Sequence, residues 1–110
     1  MNMSAFLLLF GGLTGAASIP PPVNSIVPTI DYAPDPPTFK GIQITSDGMW
    51  TNSPTTYTYE WFADNVTTGQ TGNIFEFNVY PVGTVIFCRV TATNAGGSAS
   101  ADSGGIQVQA

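Results

Sequence analysis

A chain of 110 residues supports one domain, and with about a third set aside as an arm the remainder lies near the lower size limit at which a core alone suffices. Two basic residues, Lys40 and Arg89, stand against seven acidic ones, so the chain lacks the cationic stripe that neutralises phosphates, and nucleic acid is not expected as a partner. Histidine is absent and Cys88 is the single cysteine, which removes the usual general base, the commonest metal ligand and any internal disulfide; no enzyme activity, metal or cofactor is expected.

Residues 1–18 contain the apolar run Ala5-Phe6-Leu7-Leu8-Leu9-Phe10, followed by Gly11, Gly12, Leu13, Gly15, Ala16 and Ala17. The run and the small residues near Ala16 to Ser18 fit the h-region and cleavage site of a secretory leader, but Met1 to Ser4 carry no Lys or Arg. A transmembrane helix needs roughly 20 apolar residues, more than this segment supplies, so no membrane span is expected. We expect a retained arm whose Phe6, Leu7, Leu8, Leu9, Phe10 and Leu13 bury themselves against neighbouring chains, because exposed apolar patches mark interaction sites. The alternative is that the arm packs back on its own domain.

Residues 19–37 follow as a linker. Pro20, Pro21, Pro22, Pro28, Pro34, Pro36 and Pro37 fix φ and delete donors, which excludes helix and most sheet pairing. Extended at about 3.1 Å per residue, the linker could hold a domain up to roughly 60 Å from its anchor. Ile26, Val27, Ile30 and Tyr32 also allow a surface-hugging connector.

From residue 38 to 110 the pattern is period-2 alternation broken by turn clusters, which predicts an all-β antiparallel sandwich. Gly41 to Thr45 places Ile42 and Ile44 inward, and Trp50 follows the Asp47-Gly48 turn. Thr56 to Ala63 places Tyr57, Tyr59 and Trp61 on the core face against Thr58, Glu60 and Phe62. Ile74 to Val79 places Phe75, Phe77 and Val79 on one side. Thr84 to Thr93 sends Ile86, Cys88, Val90 and Ala92 inward and Phe87, Arg89 and Thr91 outward, ending at a hairpin turn, Asn94-Ala95-Gly96-Gly97. Ser98 to Val108 returns as the last strand.

Three stretches carry a resemblance. Gly48-Met49-Trp50, the segment from Ser53 to Phe62, and the segment from Val82 to Asn94 resemble the immunoglobulin-like domains of bacteria and tailed phages. The shared features are a tryptophan and a cysteine on two strands and a Thr-Ala-Thr-Asn hairpin, in one order with suitable spacing. Vertebrate immunoglobulin domains add a second cysteine and a tyrosine two residues before the first; here the second cysteine is missing and Ile86 occupies the tyrosine position. The resemblance implies Trp61 opposite Cys88, and antiparallel pairing then sets Glu60 opposite Arg89 and Phe62 opposite Phe87, both pairs outward. Phe62 and Phe87, with Tyr80 as a neighbour, are therefore a candidate contact patch; the alternative is a plain cross-strand aromatic pair.

Other motifs carry less. Asn65-Val66-Thr67 fits a glycosylation sequon, which matters only in a eukaryotic secretory setting. Asp31, Asp35, Asp47 and Asp64 do not form a dense run of calcium ligands. Glu60 and Glu76 could form an acid/base pair only in a cleft, and both are expected on outward faces. The resemblance implies a displayed, non-enzymatic structural protein on a virion surface: capsid decoration first, a tail, neck or fibre component as the near alternative. Its partners would be capsid or tail proteins of the same particle, further copies in a homo-oligomer or multi-copy assembly, and host-surface carbohydrate. The competing expectation is a secreted or cell-surface bacterial adhesion module whose leader is cleaved near Ala17 or Ser18.

Overall fold

The computed structural model describes residues 19–33, 41–76 and 79–109, and every regular element among them is a β-strand. In chain order these are β1 (Val23–Ile26), β2 (Thr29–Tyr32), β3 (Gly41–Ser46), β4 (Met49–Thr51), β5 (Thr56–Ala63), β6 (Val66–Thr67), β7 (Ile74–Glu76), β8 (Val85–Asn94), β9 (Gly97–Asp102) and β10 (Ile106–Gln107). All pairings are antiparallel.

The larger sheet is built on β8. Its ten residues alternate buried and partly exposed, with Ile86, Cys88, Val90 and Ala92 fully buried, as the period of two requires. One edge of β8 pairs with β5 over eight residues, Thr56 opposite Thr93 through Ala63 opposite Ile86. Beyond β5 lies the short β6, joined through Asp64 and Asn65, which both take positive φ (47° and 69°) as a two-residue hairpin turn demands.

The other edge of β8 receives first β9, then β10. The expected single last strand is broken at Ser103, which is buried. Its amide donates to the Cys88 carbonyl (2.9 Å), while its hydroxyl accepts the Cys88 amide proton (2.9 Å) in place of a strand carbonyl. A side chain thus bridges the irregularity and gives the buried Cys88 amide its partner.

The smaller sheet has the order β2-β3-β7, with Ile42 opposite both Tyr32 and Phe75. The loop after β6 crosses between the sheets and is tied to both. The Trp61 amide donates to the Gln70 carbonyl (3.2 Å) and the Ile44 amide to the Asn73 carbonyl (3.1 Å). The Gln70 side-chain amide clamps β7, donating to the Glu76 carbonyl and accepting from its amide at 3.1 Å each.

One core lies between the layers. Ile42 and Phe75 from the smaller sheet meet Trp61, Ile86, Cys88 and Val90 from the larger one, with Val108 closing the end. The Trp61 and Phe75 rings stack at 5.5 Å between centroids, and the Trp61 indole N–H donates to the Gly72 carbonyl (2.7 Å). That bond lets a tryptophan be wholly buried without an orphaned donor. Each fully buried large apolar side chain contributes about 1.5–3 kcal/mol, so these few residues are the main favourable term in a domain with no disulfide.

Residues 19–33 are extended, as the prolines require, but they are not a free linker. β1 pairs with β4 and β2 with β3, so both strands belong to the folded domain. The prolines fit because they flank the strands: Pro22 precedes β1, and Pro28 sits buried at the corner between β1 and β2. Gly48 forms the matching corner between β3 and β4. Its φ is +87°, and a Cβ there would fall 2.5 Å from the Ile26 carbonyl oxygen, so only glycine lets the two corners meet.

The strand expected to run to Val79 ends at Glu76 among the described residues, and Val79 is 80% exposed rather than inward. Phe77 lies outside the described residues, as do residues 1–18 with Phe6, Leu7, Leu8, Leu9, Phe10 and Leu13. No helix among the described residues is long and apolar enough to cross a membrane.

Candidate interaction surface

The outward face of the larger sheet carries the expected aromatic pair. Phe62 on β5 and Phe87 on β8 are directly opposite, half-buried, and stacked in parallel planes with centroids 4.7 Å apart. Parallel planes at that separation mean an offset stack, the favourable arrangement for two ring quadrupoles. The Arg89 guanidinium carbon lies 4.7 Å from the Phe62 centroid, so the cation caps one face of the stack.

Glu60 and Arg89 are opposite in register, as expected, but the ion pair forms elsewhere. Arg89 makes a two-pronged contact with Asp102 on β9, Nε to Oδ1 at 2.8 Å and Nη2 to Oδ2 at 3.1 Å. The planar guanidinium fork meets the Asp102 carboxylate with two hydrogen bonds, and Glu60 instead accepts the Thr67 hydroxyl at 2.8 Å. Asp102 holds the Arg89 proton more firmly than in the isolated side chain. Because both partners are largely solvated, the pair contributes about 0–1 kcal/mol; it orients Arg89 over Phe62.

Tyr80 does not join this patch. Its ring lies 5.5 Å from Phe75 and packs against the core instead of the outer face of β5 and β8. Beyond the patch the outer surface is hydroxylic: Thr91 bonds Ser100 and Thr93 bonds Ser98, each at 2.7 Å. These cross-strand pairs occupy the surface that charged residues fill in most domains.

On the edge of β5 a shallow groove of about 740 Å³ is lined by Tyr57, Tyr59, Glu60, Gly69, Thr71 and Asn73 among others. The Tyr59 hydroxyl donates to Asp47 Oδ1 at 2.6 Å, and burial together with that carboxylate pushes its pKa up to about 12. Trp61 and Tyr59 thus serve the core, while Tyr57 is open to solvent. Among the described residues no three carboxylate or thiol groups gather as a metal site would need. Asp64 accepts the Val85 amide proton at 3.0 Å, and Asn65 of the sequon lies at the exposed tip of its hairpin.

No family model, curated protein or solved structure matches this chain.

Sequence reasoning missed a second feature, at the far end of the domain. Asn94, buried at the end of β8, donates from Nδ2 to the carbonyls of Pro20 (2.9 Å) and Asn52 (2.8 Å) and accepts the Gly96 amide proton (2.7 Å). Asn52 donates in turn to the Pro21 carbonyl (2.8 Å). Gly96 leaves room for the Ile19 carbonyl, which a Cβ there would strike. This clasp holds Ile19, Pro20 and Pro21 against the end of β8. The sequence signal was Asn94 itself, read as a turn residue when it is also a tertiary donor.

Proposed function

We propose that the chain is a non-enzymatic structural protein of a tailed-phage particle, displaying an immunoglobulin-like domain, with capsid decoration as its place and a tail, neck or fibre position as the near alternative. The observation that carries this reading is the outward Phe62–Phe87 stack. It is a desolvatable aromatic surface on a rigid sheet, in a chain that also has an apolar leading segment. The immunoglobulin-like part is supported by strand order: β2-β3-β7 faces β6-β5-β8 with β9 outside, and Trp61 on β5 is opposite Cys88 on β8. A host carbohydrate, if bound, would meet the β5 groove, where the Tyr57 ring offers an apolar face beside the polar groups of Asn73 and Glu60.

The test is incorporation. With Phe62→Ser and Phe87→Ser combined, the chain should keep its fold by circular dichroism and show reduced copy number in purified particles. Unchanged copy number would remove the patch from the interface, and a large loss of melting temperature would show that the rings belong to the core.

A second reading, a secreted adhesion module, is favoured by the Ala5 to Phe10 run followed by small residues. Intact-mass measurement separates the two. Loss of the first 16–18 residues supports secretion, and a retained segment supports the particle anchor.

A further inference from the structure

The edges of the two sheets are not closed alike. In the smaller sheet the outer edge of β7 is capped at Glu76, where the Gln70 side chain takes both the backbone amide and the carbonyl. In the larger sheet β6 covers β5 only at Phe62 and Ala63. At Gly69 the backbone takes φ +81°, with open space around it, and the chain leaves the edge of β5. Thr56 to Glu60 contain no Pro, Lys or Arg, residues with which proteins commonly blunt an edge strand.

Hydrogen-bond parity shows which backbone groups that edge presents. The Asp64 amide donates to the Val85 carbonyl, so the backbone of Asp64 points toward β8, and with it Phe62, Glu60 and Thr58. Trp61 points the other way: its amide donates to the Gln70 carbonyl (3.2 Å) and its carbonyl accepts from the Thr68 amide (2.9 Å). Tyr59 and Tyr57 follow Trp61 by the period of two. Their N–H and C=O groups point off the sheet edge and meet no partner strand among the described residues. They face the groove of about 740 Å³ that Gly69, Thr71 and Asn73 also line.

The charge of the groove selects what fills it. Glu60 is the charged residue of its lining among the described residues. Arg89, opposite Glu60 in register, is held by Asp102, and Glu60 meets the neutral Thr67 hydroxyl instead of a cation. In a chain of net charge −5 a second copy is repelled and a cationic segment is attracted. On an added strand, the side chain beside Glu60 lies on the outer face with it, and its neighbours lie beside Tyr57 and Tyr59 on the other face. Tyr57 is 37% exposed and offers an apolar ring there.

We infer that the β5 edge takes up an extended, basic segment of a partner protein as an added strand, bonded to the backbone of Tyr57 and Tyr59 and carrying a Lys or Arg beside Glu60. Main-chain bonds supply the seat, and the pairing with Glu60 supplies the preference. Such a strand displaces any carbohydrate from this groove, and the inference stands independently of the particle reading.

The test uses the full chain and the blocked peptide acetyl-Val-Lys-Val-Lys-Val-Lys-Val-amide, whose lysines and valines fall on opposite faces when extended. With peptide at roughly ten times its Kd, the Tyr57 and Tyr59 amides should exchange with solvent about tenfold more slowly. The Thr58 and Glu60 amides, already turned to β8, should change little. Glu60→Gln should weaken binding roughly two- to fivefold. Tyr57→Pro removes an outward amide where an edge strand tolerates proline, and should return the Tyr59 amide to its peptide-free rate. Should that variant fail to fold, the peptide N-methylated at its valines replaces it and should not bind the unsubstituted chain. Absence of protection with the first peptide would overturn the inference. So would equal binding of the N-methylated peptide, or of one with Glu in place of Lys. Tyr57 and Tyr59 amides already protected without peptide would overturn it too, because a second copy or this chain's own residues would then cover the edge.

Discussion

Cys88 and Trp61 show how single residues anchor a core that has no disulfide. The thiol is fully buried, and loss of hydration pushes its pKa from 9.0 to about 12. Tyr59 is likewise raised from 10.0 to about 12. Both groups hold their protons more tightly when folded, so their contribution is level below pH 9 and falls as pH rises between about 9 and 12. Thermal melts across that range should show an onset near 9 that moves to about 10 in Cys88→Ala, where Tyr59 alone remains. An onset that does not move would show that the thiol is neutral to stability. Trp61→Ala should cost about 3–5 kcal/mol, a large share of the roughly 5–15 kcal/mol expected of a domain, and equilibrium denaturation reads it directly. These assignments were legible in the sequence because strict alternation along Thr56 to Ala63 and Thr84 to Thr93 fixes which side chains share a face. Tyr80 and Val79 were misplaced because no register constrains residues beyond a strand end.

At the scale of elements, the Pro-rich segment was misread for a related reason. Proline removes donors, and the count of prolines between Ile19 and Pro37 argued against pairing. Composition does not reveal that they fall outside the four-residue strands β1 and β2, nor that Gly48 and Pro28 bend both ribbons at one corner. The Asn94 clasp was equally hidden, because its partners lie 74 and 42 positions away. Asn94→Ala leaves the carbonyls of Pro20 and Asn52 without their donor and should destabilise by about 1–3 kcal/mol. Limited proteolysis should then cleave ahead of Val23 more readily than in the unsubstituted chain; equal cleavage rates would show that the strand pairs alone hold this end. Truncation to Ile19 keeps the clasp and should leave a folded domain, whereas truncation past Pro28 deletes β1 and should lower the melting temperature markedly.

For the whole molecule, apolar surface is exposed on more than one element. The aromatic stack faces outward from the larger sheet, and Val23, Ile26 and Met49 on the paired β1 and β4 are also exposed. The fold class was readable from periodicity, but these positions depend on long-range pairing that periodicity does not encode. A weak contact repeated over many copies gains strength through effective concentration, which is how a small domain with few strong anchors can hold to a lattice. The most direct test is to locate the chain by electron cryo-microscopy and mass spectrometry of purified particles from its host. Many copies are expected, each with residues 1–18 intact and held at the particle and with the β domain on the outside. Particles free of the chain, with the protein found only in the medium and shortened at its N-terminus, would contradict it.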